Sequence, residues 1–186
     1  MKSLFNKRLL AIGLGMLLAA ILLAPAGASA GSGGVGTGPP TVAGPKAKLR
    51  NGEAIAPAGA PAAVKRAIAA GNAIRHKPYR LGGGHAKWKD TAYDCSGSAS
   101  YVLGKYGARK LDAPMPSGSF EKGWGVKGHG KWITTYANGG HMYVVVAGLR
   151  FDTSNNGYRK SGPRWTTDLA GGKVNGPFKA RHPSGL

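Results

Sequence analysis

Tyr93-Asp94-Cys95-Ser96-Gly97-Ser98-Ala99-Ser100-Tyr101-Val102-Leu103 contains the only cysteine in 186 residues. Ala99, Val102, Leu103 and Tyr106 recur at i, i+3, i+4 and i+7, which is one face of a helix. Asp94 reads as the N-cap and Gly107 as the stop. Cys95 then falls in the first helical turn, where the positive end of the helix dipole favours thiolate over thiol. Just upstream, Tyr79-Arg80-Leu81-Gly82-Gly83-Gly84 reads as a turn-rich loop that continues to Tyr93.

The ends of the chain bound the context in which that cysteine works. Lys2, Lys7 and Arg8 precede an apolar run from Leu9 to Ala24, and Ala28-Ser29-Ala30 follows as a small-residue cleavage site. This is the pattern of a secretory signal peptide over residues 1–30. The run is shorter than the roughly 20 residues a membrane span needs, so no stable membrane insertion is expected. A single cysteine in an exported protein forms no internal disulfide, leaving an intermolecular bridge, a buried hydrophobe or a reactive thiol.

Lys and Arg total 26 against 7 Asp and Glu, a formal charge of +19. Losing Lys2, Lys7 and Arg8 with the leader takes away three and leaves +16. Such a surface seeks polyanions. Outside the cell these are anionic wall polymers and carboxylated peptides, and nucleic acid is not expected as a partner. Residues 31–60, rich in Gly, Pro and Ala, bury too little to offset their ordering entropy and read as a flexible linker.

The domain proper is expected over residues 61–186. A helix begins near Pro61 on Val64, Ala67, Ile68 and Ile74 and stops before Pro78, with Gly71 weakening it. Residues 110–130 read as loop. Lys131 to Tyr136 and His141 to Ala147 read as strands around an Asn138-Gly139-Gly140 turn, and Arg150 to Thr153 starts a third after a turn at Gly148-Leu149. Helices first and strands later give the α+β class.

A cysteine nucleophile needs a base within reach and a polar group to orient that base. His141, held at the start of an apolar strand after a Gly-Gly turn, is the preferred base. His85 and His129 lie in glycine-rich loops, His76 ends a basic helix, and His182 sits beside Pro183. No zinc-ligand spacing is present and no metal or cofactor is implied.

Tyr79-Arg80-Leu81-Gly82-Gly83 with Asp94-Cys95-Ser96-Gly97 resembles the NlpC/P60 family of cell-wall peptidases. The strand from His141 to Gly148 is similar to that family's histidine strand, and Met115-Pro116-Ser117 to its proline-containing segment. The resemblance implies a papain-like α+β fold with helices packed on an antiparallel sheet. It implies a monomeric, secreted or wall-associated cysteine endopeptidase that hydrolyses amide bonds in peptidoglycan stem peptides. A muramoyl-alanine amidase, a transacylase or a catalytically silent cationic wall-binding protein are the alternatives. By the same resemblance Cys95 is the nucleophile, His141 the base and Asp152 the orienting residue, while Tyr79, Asp94 and Ser96 contact substrate. Asp94 serves equally well as a helix cap alone.

The loop between Gly83 and Asp94 is longer than the family's and carries Trp88, and Lys131 to Gly140 replaces its usual Gly-Asp-Leu element. A two-residue turn at Gly148-Leu149 sets Asp152 opposite Val145, roughly 13 Å along the strand from His141. In that register Ser154 or Asn156 is nearer, unless a bulge near Gly148 brings Asp152 closer. For Arg150 and Asp152 the plain alternative is a surface pair.

Overall fold

The small strands at the start of the chain are the first departure from expectation. The computed structural model describes residues 38–154, 162–169 and 177–186. Within them, β1 (Thr41–Val42), β2 (Lys48–Arg50) and β3 (Glu53–Pro57) form a sheet of order β1-β3-β2. β1 runs parallel to β3, and β2 and β3 are an antiparallel hairpin closed by Asn51 and Gly52, both at positive φ. Residues 38–60 are therefore not a linker. Their alanines carry little apolar surface each, but Ala47, Ala54, Ala56 and Ala60 are buried. Small side chains let this sheet lie close to the next helix, whose Asn72 amide bonds both the N–H and the C=O of Ala54 at 3.0 and 2.8 Å. The leader at 1–30 and residues 31–37 lie outside the described residues.

That helix, α1 (Ala62–Ile74), begins after Pro61 and ends ahead of Pro78. Gly71 does more than weaken it. A methyl group there would lie 2.4 Å from the Trp165 ring, so the glycine is the seat of the indole. Gly71→Ala is expected to cost about 1–3 kcal/mol by overpacking, read as a lower urea midpoint.

α2 (Cys95–Leu103) is buried along almost its whole length. It stops at Gly104, not Gly107. The Trp88 ring occupies the space a Gly104 side chain would need, and the chain then folds back so that the N–H groups of Ala108 and Lys110 donate to the carbonyls of Val102 and Leu103, both at 2.8 Å. Tyr106 thus leaves the helix face and stacks on Tyr101 at the surface. A third helix, α3 (Ser117–Lys122), interrupts the stretch read as loop, and β4 (Val126–Lys127) follows it.

The remaining strands are β5 (Ile133–Ala137), β6 (Met142–Val146), β7 (Leu149–Asp152), β8 (Arg164–Thr166) and β9 (Lys179–His182). They form a six-stranded sheet of order β4-β9-β5-β6-β7-β8, every pair antiparallel. The chain is thus α+β. α2 lies against β6 and β7, and α1 against α2 and β3. Val102, Leu103, Ile133, Met142, Val144, Val146 and Phe151 are fully buried between these layers.

The β6–β7 turn decides the site. It is made by Ala147 and Gly148, both at positive φ, one residue earlier than expected. A two-residue hairpin turn of the primed kind requires that sign at both positions. The register becomes Val146 opposite Leu149 and Val144 opposite Phe151. Asp152 thereby moves two residues closer to the His141 end than the expected turn would place it.

Candidate active site

The nucleophile position is built by the loop that precedes it. Asp94 is extended, with φ −90° and ψ −174°, and its Oδ1 accepts from the Gly97 N–H at 2.7 Å. Its Oδ2 accepts from the Gly82 N–H at 2.9 Å, and its own N–H donates to the Gly83 carbonyl at 3.1 Å. A methyl group on Gly97 would lie 2.0 Å from that carbonyl oxygen. The glycine loop is thus clamped onto the helix start, and Tyr79 pairs with Tyr93 in an isolated bridge at its root. Cys95, a free half-buried thiol, sits at the first helical position.

His141 is fixed from the other side. Its N–H donates to Asn138 Oδ1 at 2.8 Å and its carbonyl accepts from the Asn138 N–H at 2.9 Å. The ring Nε2 lies 2.9 Å from Asp152 Oδ1 and 3.1 Å from Ser154 Oγ. The Cys95 side chain also interacts with this imidazole. The structure therefore brings Cys95, His141 and Asp152 together.

Asp152 and Ser154 both reach the imidazole, so the choice between them dissolves. Ser154 donates its N–H to Asp152 Oδ1 at 3.0 Å and its hydroxyl to Oδ2 at 3.0 Å. Asn156 lies outside the described residues. Arg150 and Asp152 are no surface pair: they are 2 % and 1 % exposed, and Arg150 Nε donates to Asp152 Oδ2 at 2.8 Å. The hairpin register, two residues tighter than expected, brings both side chains closer to His141 along the same face.

Burial pulls the His141 pKa down, but the hydrogen bond to Asp152, the Cys95 contact and their charges outweigh it and raise it from 6.5 to about 9. Burial pushes the Asp152 carboxyl up, yet the His141 hydrogen bond and the His141 and Arg150 charges hold it below its ordinary value. The raised imidazole stabilises the fold fully below about 6.5, and that contribution fades as pH rises through about 9. The depressed carboxyl contributes above its ordinary value of 3.8, and its share is lost as pH falls through the lowered one.

Tyr79 is partly buried beside the thiol. Burial raises its pKa first, and the charges of Cys95 and Asp94 raise it further. Asp94 and Ser96, expected to contact substrate, are each 5 % exposed. His85, set aside above as a loop histidine, holds them both. Its Nε2 lies 3.0 Å from Asp94 Oδ1 and 3.1 Å from Ser96 Oγ. The Asp94 carboxylate thus meets Gly82, Gly97, Ser96 and His85, and is committed to capping the helix and closing the loop. The available signal was the position of His85 directly after Gly82-Gly83-Gly84. Two of these glycines take positive φ, which turns the loop back onto Asp94. The long loop carries Trp88 to the far end of α2, not over the cysteine.

No family model matches the chain, and no curated protein matches it. Among the described residues no helix is long and apolar enough to cross a membrane. No group of three or more His, Cys, Asp or Glu side chains there is arranged to hold a metal ion.

Proposed function

We propose that the chain is a cysteine hydrolase of the papain-like NlpC/P60 type that cuts amide bonds in peptidoglycan stem peptides. The observation that carries this reading is the imidazole of His141, held by Asp152 at 2.9 Å and interacting also with the only thiol of the chain. A nucleophile, a base and a group orienting that base are the parts that acyl transfer through sulfur needs.

The sulfur of Cys95 attacks the amide carbonyl as thiolate, its proton residing on His141. The developing oxyanion meets the Cys95 N–H at the helix start, where unpaired amide groups and the helix dipole favour negative charge. His141 gives its proton to the leaving amine. The resulting thioester is hydrolysed by water that His141 deprotonates, which frees the acid and restores the pair. Asp152 holds the tautomer and stabilises the imidazolium at both stages. Tyr79, beside the sulfur, borders the acyl site.

The wall assignment rests on the export leader, the charge of +16 that its loss leaves and the motif likeness around Cys95. The protein is read as secreted, monomeric and drawn to anionic wall polymers. The test is digestion of purified peptidoglycan fragments with mass analysis of the products. New termini within stem peptides support an endopeptidase, while release of whole stems from muramic acid supports an amidase instead. Because amide cleavage needs the imidazolium form, hydrolysis is expected to fall as pH rises through about 9. A rate still rising at pH 10 would contradict that protonation state.

A further inference from the structure

We propose that Arg150 is a positioning residue of the catalytic group: it takes up one oxygen of the Asp152 carboxylate, aims the other at His141, and tempers the pull of that carboxylate on the imidazole. This deepens the proposed cysteine chemistry and rests on it.

The contacts divide the carboxylate cleanly. Arg150 Nε and Nη2 both bind Oδ2, the former at 2.8 Å, and Ser154 Oγ adds a third donor there. His141 Nε2 and the Ser154 N–H bind Oδ1. Rotating the carboxylate would break all of these at once. Arg150 is itself held, with Nη1 3.4 Å from the Asp168 carbonyl and its guanidinium carbon 4.8 Å from the Tyr143 ring centre. A guanidinium over an aromatic face is attracted by the ring quadrupole.

Charge gives the arrangement its consequence. The ionisable groups near this cluster among the described residues include His141 just before β6, Tyr143 in β6, Asp168 after β8, Cys95 at the start of α2 and Tyr79 beside it. Burial raises the Tyr143 phenol to about 12, so it stays neutral. Arg150 shares the charge of Asp152, so the carboxylate holds a proton on His141 less firmly than it would alone. Without Arg150, the whole carboxylate charge would act on the imidazole.

The test is the NMR titration of the His141 ring, assigned by a His141→Gln control, in the full-length protein and in Arg150→Gln and Arg150→Lys. Arg150→Gln is expected to move the His141 midpoint up by about one pH unit, since an opposite charge is freed and a like charge removed. Arg150→Lys keeps the charge but not the two-pronged grip. It should keep the midpoint while lowering kcat on stem peptides about tenfold or more at unchanged KM. An unmoved midpoint in Arg150→Gln would overturn the proposal. If Arg150→Gln does not fold, the Lys variant decides: a shifted midpoint, or an unchanged kcat, overturns it. The titration reads the cluster whether or not the protein cleaves peptides. An inactive wild type with the expected midpoint shift would thus remove the peptidase reading and leave the charge arrangement standing.

Discussion

Cys95→Ala should reduce hydrolysis of stem peptides by about four orders of magnitude or more, because no other group of the site can form the acyl bond. His141→Ala should cost a comparable factor. The double variant should be little worse than either, since residues acting as one unit lose function together. Circular dichroism should show a folded Cys95→Ala protein, as the thiol is only half-buried and caps nothing. The readout is amine release from purified fragments at neutral pH. Independent, multiplying effects of the two substitutions would mean that the sulfur and the imidazole do not work as a pair.

The second large effect falls on stability. Asp152→Asn keeps the volume but leaves Arg150, 2 % exposed, without its anion. Stranding a buried charge costs about 3–5 kcal/mol, which urea unfolding at pH 7 measures directly. The sign with pH is fixed by the lowered Asp152 pKa. The wild type loses the contribution of the carboxylate as pH falls through that value, so the gap to the variant should narrow in acid. A gap that is constant from neutral to acid pH would show that the loss came from shape and not from charge.

The parts of the site that reading the chain could reach are those with local causes. The helix at Cys95 has a cap residue and a 3.6-residue period, and the strand after His141 is dense in Val. Both are where their patterns put them, to within a residue or a turn. The misplaced parts depend on contacts between distant segments. Nothing near Ala147 marks it for positive φ, so the glycine beside it drew the turn one residue too late. That single slip separated Asp152 from His141 on paper. The N-terminal sheet was hidden for another reason. Its stability comes from backbone pairing and from Asn72 of α1, while composition counts only the modest apolar area of alanine. His85 was passed over because a histidine in a glycine-rich loop looks solvated. Its partners become visible only when the loop closes on Asp94.

The pairing of sulfur and imidazole is tested most directly by the rate at which iodoacetamide alkylates Cys95 between pH 5 and 10, in the wild type and in His141→Ala. The account predicts that wild-type Cys95 is alkylated faster than free cysteine at neutral pH, and that removing His141 abolishes the difference. Identical profiles for the two proteins, both matching free cysteine, would contradict it.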